Sequence, residues 1–284
     1  MSLGRRGKRR LIVYSSLFIV YLLLVSCGSL ADRLILFPST EPLNAGRATT
    51  RRAIPWAGGE VEAWVARSQG ARVAGAEPRA FVLEFTGNAT RAEWIAEDVA
   101  LRWGPRPVEV WAINYPGYGG STGPARLKSI APAALAAYDE MRRAAGDRPI
   151  FACGNSLGTT AALHVAANRP VTGMVLQNPP PLRSLILGRY GWWNLWLLAG
   201  PVAMQVPKDL DSLANAPRVT VPAVFIMADN DLLVAPDYQR KVLAAYAGEK
   251  RVIKTSGGHN AAASGAALDE VEAAIEQLWG RTVR

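Results

Sequence analysis

Ser156 stands in Gly154-Asn155-Ser156-Leu157-Gly158, after the apolar run Pro149-Ile150-Phe151-Ala152-Cys153 and before the helix-forming stretch Thr159 to Ala166. A serine raised on a sharp turn between a strand and a helix is a candidate nucleophile. Glycines on either side suit such a turn, because a residue without Cβ fits where the chain crowds itself. Serine is a weak nucleophile at neutral pH, so the chemistry needs a base within hydrogen-bond reach and a third group that orients the base. The chain has two histidines, His164 and His259. His164 lies on the helix leaving the turn, where it would point away from Ser156, and reads as a packed or surface helix residue. His259, in Ser256-Gly257-Gly258-His259-Asn260 after the short strand Arg251 to Lys254, reads as the base. Its unperturbed pKa, near 6.5, suits proton transfer at neutral pH. The orienting acid is expected in the loop after the apolar strand Val221 to Met227, and that loop offers both Asp229 and Asp231.

These groups need a scaffold that brings distant segments together. Strands are predicted at Val61 to Val65, Ala80 to Phe85, Val108 to Asn114, Ile150 to Cys153, Thr172 to Gln177, Val221 to Met227 and Arg251 to Lys254, with helical spacing at Ala131 to Ala145 and Leu268 to Trp279. The strands are continuous Val/Ile/Leu/Phe runs rather than alternating ones. That pattern predicts an α/β protein whose mainly parallel central sheet carries helices on both faces. The chain after the leader, roughly 250 residues, is long enough for a single such domain, and it contains no internal repeat. Residues 1–26 read as a signal peptide or N-terminal membrane anchor, 27–50 as a tether and lead-in, and 51–284 as the catalytic domain. An insertion at about 179–217, with Tyr190, Trp192, Trp193 and Trp196 among leucines, reads as a small cap.

Four further segments carry a resemblance: Phe85-Thr86-Gly87-Asn88-Ala89 after a strand, the run Asn114-Tyr115-Pro116-Gly117-Tyr118-Gly119-Gly120-Ser121-Thr122-Gly123, the segment holding Asp231 and the segment holding His259. With the Ser156 turn, they make residues 34–280 resemble the α/β-hydrolase superfamily of serine hydrolases. Within it the chain looks like the membrane-associated depalmitoylating thioesterases and their bacterial relatives. The resemblance implies the α/β-hydrolase fold, in which nucleophile, acid and histidine follow in this chain order. It favours Asp231 over Asp229, through the spacing of Ala228, Asp231, Val234 and Pro236. It also implies an oxyanion hole made of two backbone N–H groups. One belongs to Leu157, at the positive end of the helix dipole, and the other to Asn88. Relatives usually carry His-Gly where this chain has Thr86-Gly87.

The leader bears on location. Arg5, Arg6, Lys8, Arg9 and Arg10 precede the uncharged stretch Leu11 to Ala31, the pattern of an export signal or membrane anchor. Leu24-Val25-Ser26-Cys27 resembles a bacterial lipobox, which implies cleavage before Cys27, lipidation of that cysteine and, with Gly28 following it, placement at the outer membrane facing the periplasm. An uncleaved helix in the inner membrane is the alternative, since about 20 residues can span the hydrocarbon core. Either arrangement puts the catalytic domain outside the cytoplasm.

The leader also explains much of the charge. The net charge is +9, but residues 1–26 hold five of the 32 basic residues and none of the 23 acidic ones. The remaining excess is scattered, which argues against a nucleic-acid partner. With Cys27 acylated, Cys153 remains alone and no disulfide forms within one chain. No Cys/His cluster has metal-ligand spacing and no Gly-rich loop has a nucleotide-binding pattern, so no metal or cofactor is expected. The expected partners are the membrane and a small acyl ester or thioester. The expected function is ester or thioester hydrolysis through Ser156, His259 and Asp231 with an acyl-enzyme intermediate. The alternatives are a peptidase or amidase using the same residues, and an inactive membrane-tethered binding protein on a hydrolase scaffold.

Overall fold

A computed structural model describes residues 5–26, 30–41, 48–73 and 76–283. The predicted strands form, with one addition, an eight-stranded sheet: β1 (Thr49–Trp56), β2 (Gly59–Arg67), β3 (Ala80–Phe85), β4 (Val108–Asn114), β5 (Ile150–Asn155), β6 (Gly173–Gln177), β7 (Ala223–Ala228) and β8 (Lys250–Thr255). Their spatial order is β1-β2-β4-β3-β5-β6-β7-β8. From β4 across to β8 every pairing is parallel, and β2 is antiparallel to both of its neighbours. The sheet is therefore mainly parallel, as the unbroken apolar runs predict.

The helices are α1 (Arg5–Ser26), α2 (Leu30–Ile35), α3 (Ala92–Arg102), α4 (Leu127–Ala145), α5 (Leu157–Asn168), α6 (Leu182–Tyr190), α7 (Ala199–Gln205), α8 (Ser212–Asn215), α9 (Pro236–Ala245) and α10 (Ala266–Thr282). They cover both faces of the sheet. Phe81, Leu83 and Phe85 of β3 pack in one core with α4 and α5, while Ala80 and Val82 pack in a second core with α3 and α10. Alternate residues of one strand thus enter opposite cores, which is why the strand is apolar at every position but the buried Glu84.

Three differences from the sequence expectation have local causes. The edge strand β1 was not anticipated, because Arg51, Arg52 and Pro55 interrupt its apolar pattern. An edge strand tolerates charge and proline on its open side. Helix α4 begins at Leu127, before the expected Ala131, and runs through Pro132. The first strand starts at Thr49, and helix α2 ahead of it is part of the packed body: Ala31 is buried, and its N–H donates to Gln205 Oε1 of α7 at 3.0 Å. Cys27 lies outside the described residues. Among the described residues, no helix is long and apolar enough to cross a membrane.

Candidate active site

The turn between β5 and α5 holds Ser156 at φ 51° and ψ −120°, a strained conformation for a residue with a side chain. Both flanking glycines are required by close approach. A Cβ on Gly154 would lie 2.6 Å from the backbone of Gly158, and one on Gly158 would lie 2.0 Å from the Phe85 carbonyl oxygen of β3. The turn therefore presses against the neighbouring strand and projects Ser156 from the carboxyl end of the sheet.

The three predicted groups meet there. The Ser156 hydroxyl and His259 Nε2 are 2.9 Å apart, and His259 Nδ1 is 2.6 Å from Asp231 Oδ2. With the ring proton on Nδ1, the tautomer the carboxylate selects, Nε2 is free to accept the serine proton. Asp231 is buried and held by three donors: the N–H groups of Leu233 and Val234 reach Oδ1 at 2.8 Å, and Gln239 Nε2 reaches Oδ2 at 3.1 Å. Asp229 is half exposed and faces Lys254 at 3.9 Å, away from the imidazole. The choice between the two aspartates thus falls on Asp231. His164 sits in α5 and faces Asn168, and burial lowers its pKa first of all; it takes no part in the cluster.

Two supporting residues were not anticipated. Asn178, buried at the end of β6 with φ 50°, donates from Nδ2 to the His259 carbonyl at 2.9 Å and accepts from the Ala228 N–H at 2.9 Å. It ties the histidine loop to the strand that leads to Asp231. Before three prolines Asn178 reads only as a turn residue, and Gln239 as an ordinary helix residue, so neither carries a sequence signal.

Asn88 and Leu157 line the same cavity as Ser156 and His259. Among the described residues neither backbone N–H donates to another protein group, as an oxyanion hole requires. Asn88 is fixed through its side chain. Its Oδ1 accepts from the Tyr118 hydroxyl at 2.9 Å and from the Phe37 N–H at 3.1 Å, and its Nδ2 donates to the Ile35 carbonyl. In turn Tyr115 donates to the Thr86 carbonyl at 2.8 Å. The loop bearing both tyrosines is anchored by a buried polar network. Asn114 Nδ2 donates to Glu62 and Glu93 at 2.7 and 2.8 Å, Gly120 N–H donates to Glu62 at 2.8 Å, and Ser121 Oγ bridges the Asn114 carbonyl and the Glu62 N–H. Burial opposes the charge of Glu62, but the bonds from Gly120, Arg51 and Asn114 outweigh it and hold its carboxyl below the usual range.

The cavity, about 640 Å³, is predominantly apolar. Leu182, Leu185, Ile186 and Val202 of α6 and α7 form its roof, and Leu34, Ile35 and Phe37 of the lead-in form another wall. The segment between β6 and β7 thus covers the serine, in the place expected of the cap.

Residues 105–203 match a family model described as the alpha/beta hydrolase fold. Among solved structures, the Pyrococcus furiosus esterase Pf2001 is similar with a TM-score of 0.65 at 14% identity, over 88% of this chain and 98% of that one. The chain has the α/β-hydrolase fold. Other proteins of similar structure are the acylaminoacyl peptidase of Pyrococcus horikoshii (TM-score 0.63, 12% identity, 85% of this chain and 42% of that one) and XC6422 of Xanthomonas campestris (0.57, 14%, 86% and 98%), described as an a/b serine hydrolase without lid. An uncharacterized protein of Mycobacterium tuberculosis is 28% identical over 183 residues, which are 63% of this chain and 62% of that protein. In this fold the Ser156 turn and the loops bearing His259 and Asp231 all stand at the carboxyl ends of the parallel strands, where ligand crevices of open α/β sheets lie.

Proposed function

We propose that this protein is a serine hydrolase of carboxylic esters or thioesters with an acyl chain. The observation that carries the reading is the hydrogen-bonded series Ser156, His259, Asp231 beside two unsatisfied backbone N–H groups at the base of an apolar cavity. In the first step His259 Nε2 takes the Ser156 proton as Oγ attacks the substrate carbonyl. Asp231 stabilises the imidazolium, and the N–H groups of Leu157 and Asn88 stabilise the oxyanion. The imidazolium then protonates the departing alcohol or thiol, leaving an acyl-Ser156. Water, deprotonated by the same imidazole, releases the acid and restores the serine.

The apolar lining supports an acyl group rather than a polar peptide in the cavity, although a peptidase would use the same three residues. Intact geometry at all three positions supports catalysis over an inactive binding role. A panel of chromogenic acyl esters and thioesters of graded chain length, with peptide substrates and Ser156→Ala alongside, tests the reading. Ester or thioester turnover that vanishes in Ser156→Ala, together with fluorophosphonate labelling lost in the same variant, is expected. Equal labelling of folded Ser156→Ala would sink it, and turnover of peptides alone would favour the peptidase.

For location we propose a lipoprotein cleaved before Cys27, tethered by lipid at the outer membrane and facing the periplasm. The basic, then apolar, leader ending in Leu24-Val25-Ser26-Cys27 supports this. Incorporation of labelled palmitate should be lost in Cys27→Ser; incorporation that persists contradicts the lipoprotein and favours the uncleaved anchor.

A further inference from the structure

We infer that the mouth of the cavity docks on a lipid bilayer through the turn between α6 and α7, so that acyl substrate enters from the membrane rather than from water. From Gly191 to Pro207 the chain has no charged residue. Within that stretch Trp192, Trp193, Leu195, Trp196 and Leu197 are all more than half exposed, with Leu195 at 74%. Leu195 and Trp196 are also held at φ 49° and 59°, a left-handed pair that bulky side chains rarely adopt. The chain thus accepts backbone strain and five water-facing apolar side chains at one turn, and an exposed patch of this kind marks a contact surface.

The tether identifies what covers it. Leu30, the first described residue after Cys27, begins α2, which is joined to α7 through Ala31 and Gln205. In sequence Cys27 precedes α2 by only three residues. A lipid on Cys27 therefore holds the membrane beside α7 and the exposed turn. An uncleaved leader leads to the same side: Ile12 to Leu23 of α1 carry nine exposed large hydrophobic side chains, and the Tyr21 hydroxyl donates to the Leu197 carbonyl at 3.0 Å. Exposed tryptophans suit this position, since the indole ring sits well at the boundary of headgroup and acyl chain.

The cavity opens into the same patch. Leu34, Phe37, Tyr190, Trp193, Leu198 and Leu233 both line the cavity and are exposed, so the surface is apolar without interruption from the turn to the site. An acyl chain moving from the bilayer to Ser156 stays in apolar contact throughout. The docking rests on the exposed surface and the tether alone; the entry of substrate rests also on the proposed hydrolysis.

The test uses the full chain reconstituted in phosphatidylcholine vesicles, with and without bromine on the acyl chains. Brominated lipid is expected to quench a larger fraction of wild-type tryptophan emission than of Trp192→Phe/Trp196→Phe emission, and equally so in a Ser156→Ala background. Leu195→Asp/Leu197→Asp is expected to slow hydrolysis of a vesicle-resident acyl ester at least tenfold while leaving a short soluble ester within twofold. Identical quenching of the two proteins, or an equal effect on both esters, overturns the inference. So does concentration-dependent crosslinking through Leu195→Cys in vesicles, which would make a second copy the occupant. Quenching as expected with neither ester hydrolysed would support the docking while sinking the hydrolase reading.

Discussion

The hydroxyl of Tyr118 donates to Oδ1 of Asn88 at 2.9 Å, joining the loop after β4 to a residue that lines the same cavity as Ser156. Tyr118 is buried, and that burial pushes its pKa up to about 12, so it remains a donor across the ordinary pH range. Replacing it by Phe removes this bond and the one the hydroxyl accepts from the Phe37 N–H, which Asn88 Oδ1 still accepts, and leaves the ring in place beside the proposed oxyanion donor. A bond of this kind contributes about 1 kcal/mol, and if the loss falls on the transition state kcat drops about fivefold. KM for a chromogenic ester should change by less than about twofold, because the bond serves the charge that develops on the oxyanion. A rise in KM with unchanged kcat would show that Tyr118 shapes binding instead.

Asp231→Asn should abolish most turnover without unfolding the protein. Its carbonyl oxygen can still accept from the Leu233 and Val234 N–H groups. Its amide, however, would present N–H to His259 Nδ1 and favour the wrong tautomer, a change worth about 10⁴-fold in kcat in a triad. Asp229→Asn should stay within about twofold of wild type, since that side chain is solvated and lies apart from the imidazole. Steady-state rates normalised to fluorophosphonate-labelled wild type give the comparison; similar losses in both variants would refute the assignment of the acid.

Gly158→Ala tests the crowding at the nucleophile turn. Its Cβ would fall 2.0 Å from the Phe85 carbonyl oxygen, a backbone atom fixed in β3. Overpacking against a rigid partner costs about 3 kcal/mol, which for a domain of this size lowers Tm by about 6–12 °C. Thermal unfolding followed by circular dichroism measures it. A Tm within about 2 °C of wild type would mean that the turn and β3 separate easily.

Glu84 gives the stability a pH dependence. It lies on β3 beside Cys153 of β5, and burial raises its pKa from 4.5 to about 7, with Arg102 partly opposing the shift. A raised carboxyl pKa means that the folded state holds its proton more tightly than the unfolded state. Its favourable balance is therefore complete below about pH 4.5 and is lost as pH rises through about 7. The shift corresponds to a few kcal/mol at most, on the order of 3. Glu84→Gln, compared with wild type by thermal melts, should raise Tm at pH 8 and have much less effect at pH 5. A gain of equal size at both values would remove the ionisation from the explanation.

That Ser156, His259 and Asp231 would lie near one another was legible in the sequence because each sits beside a strand whose apolar run is unmistakable, and because the glycines around Ser156 report a steric constraint that the fold enforces. Which aspartate serves was open to local reading. Asp231 and Asp229 differ only in what their loop folds against, and Gln239 and the Leu233 and Val234 amides meet Asp231 through the start of α9. The mount of Asn88 was not legible, since Phe37 and Ile35 lie 51 and 53 residues away and nothing in Leu34-Ile35-Leu36-Phe37 marks them as its partners. Strand β1 was hidden for the opposite reason: Arg51 answers the buried Glu62 on the neighbouring strand, so the charge that obscures the strand belongs to its pairing.

The lead-in from Leu30 to Phe37 is stitched to the domain at Gln205 and Asn88 and supplies one wall of the cavity. A protein trimmed back to Thr49 would keep Ser156, Asp231 and His259 yet open the side of its own pocket and release the side chain of Asn88. The same eight residues thus serve two ends: if the leader ahead of them is a tether, as proposed, the segment that continues it is also a wall of the chamber that holds Ser156, and the two would have to be inherited and altered together.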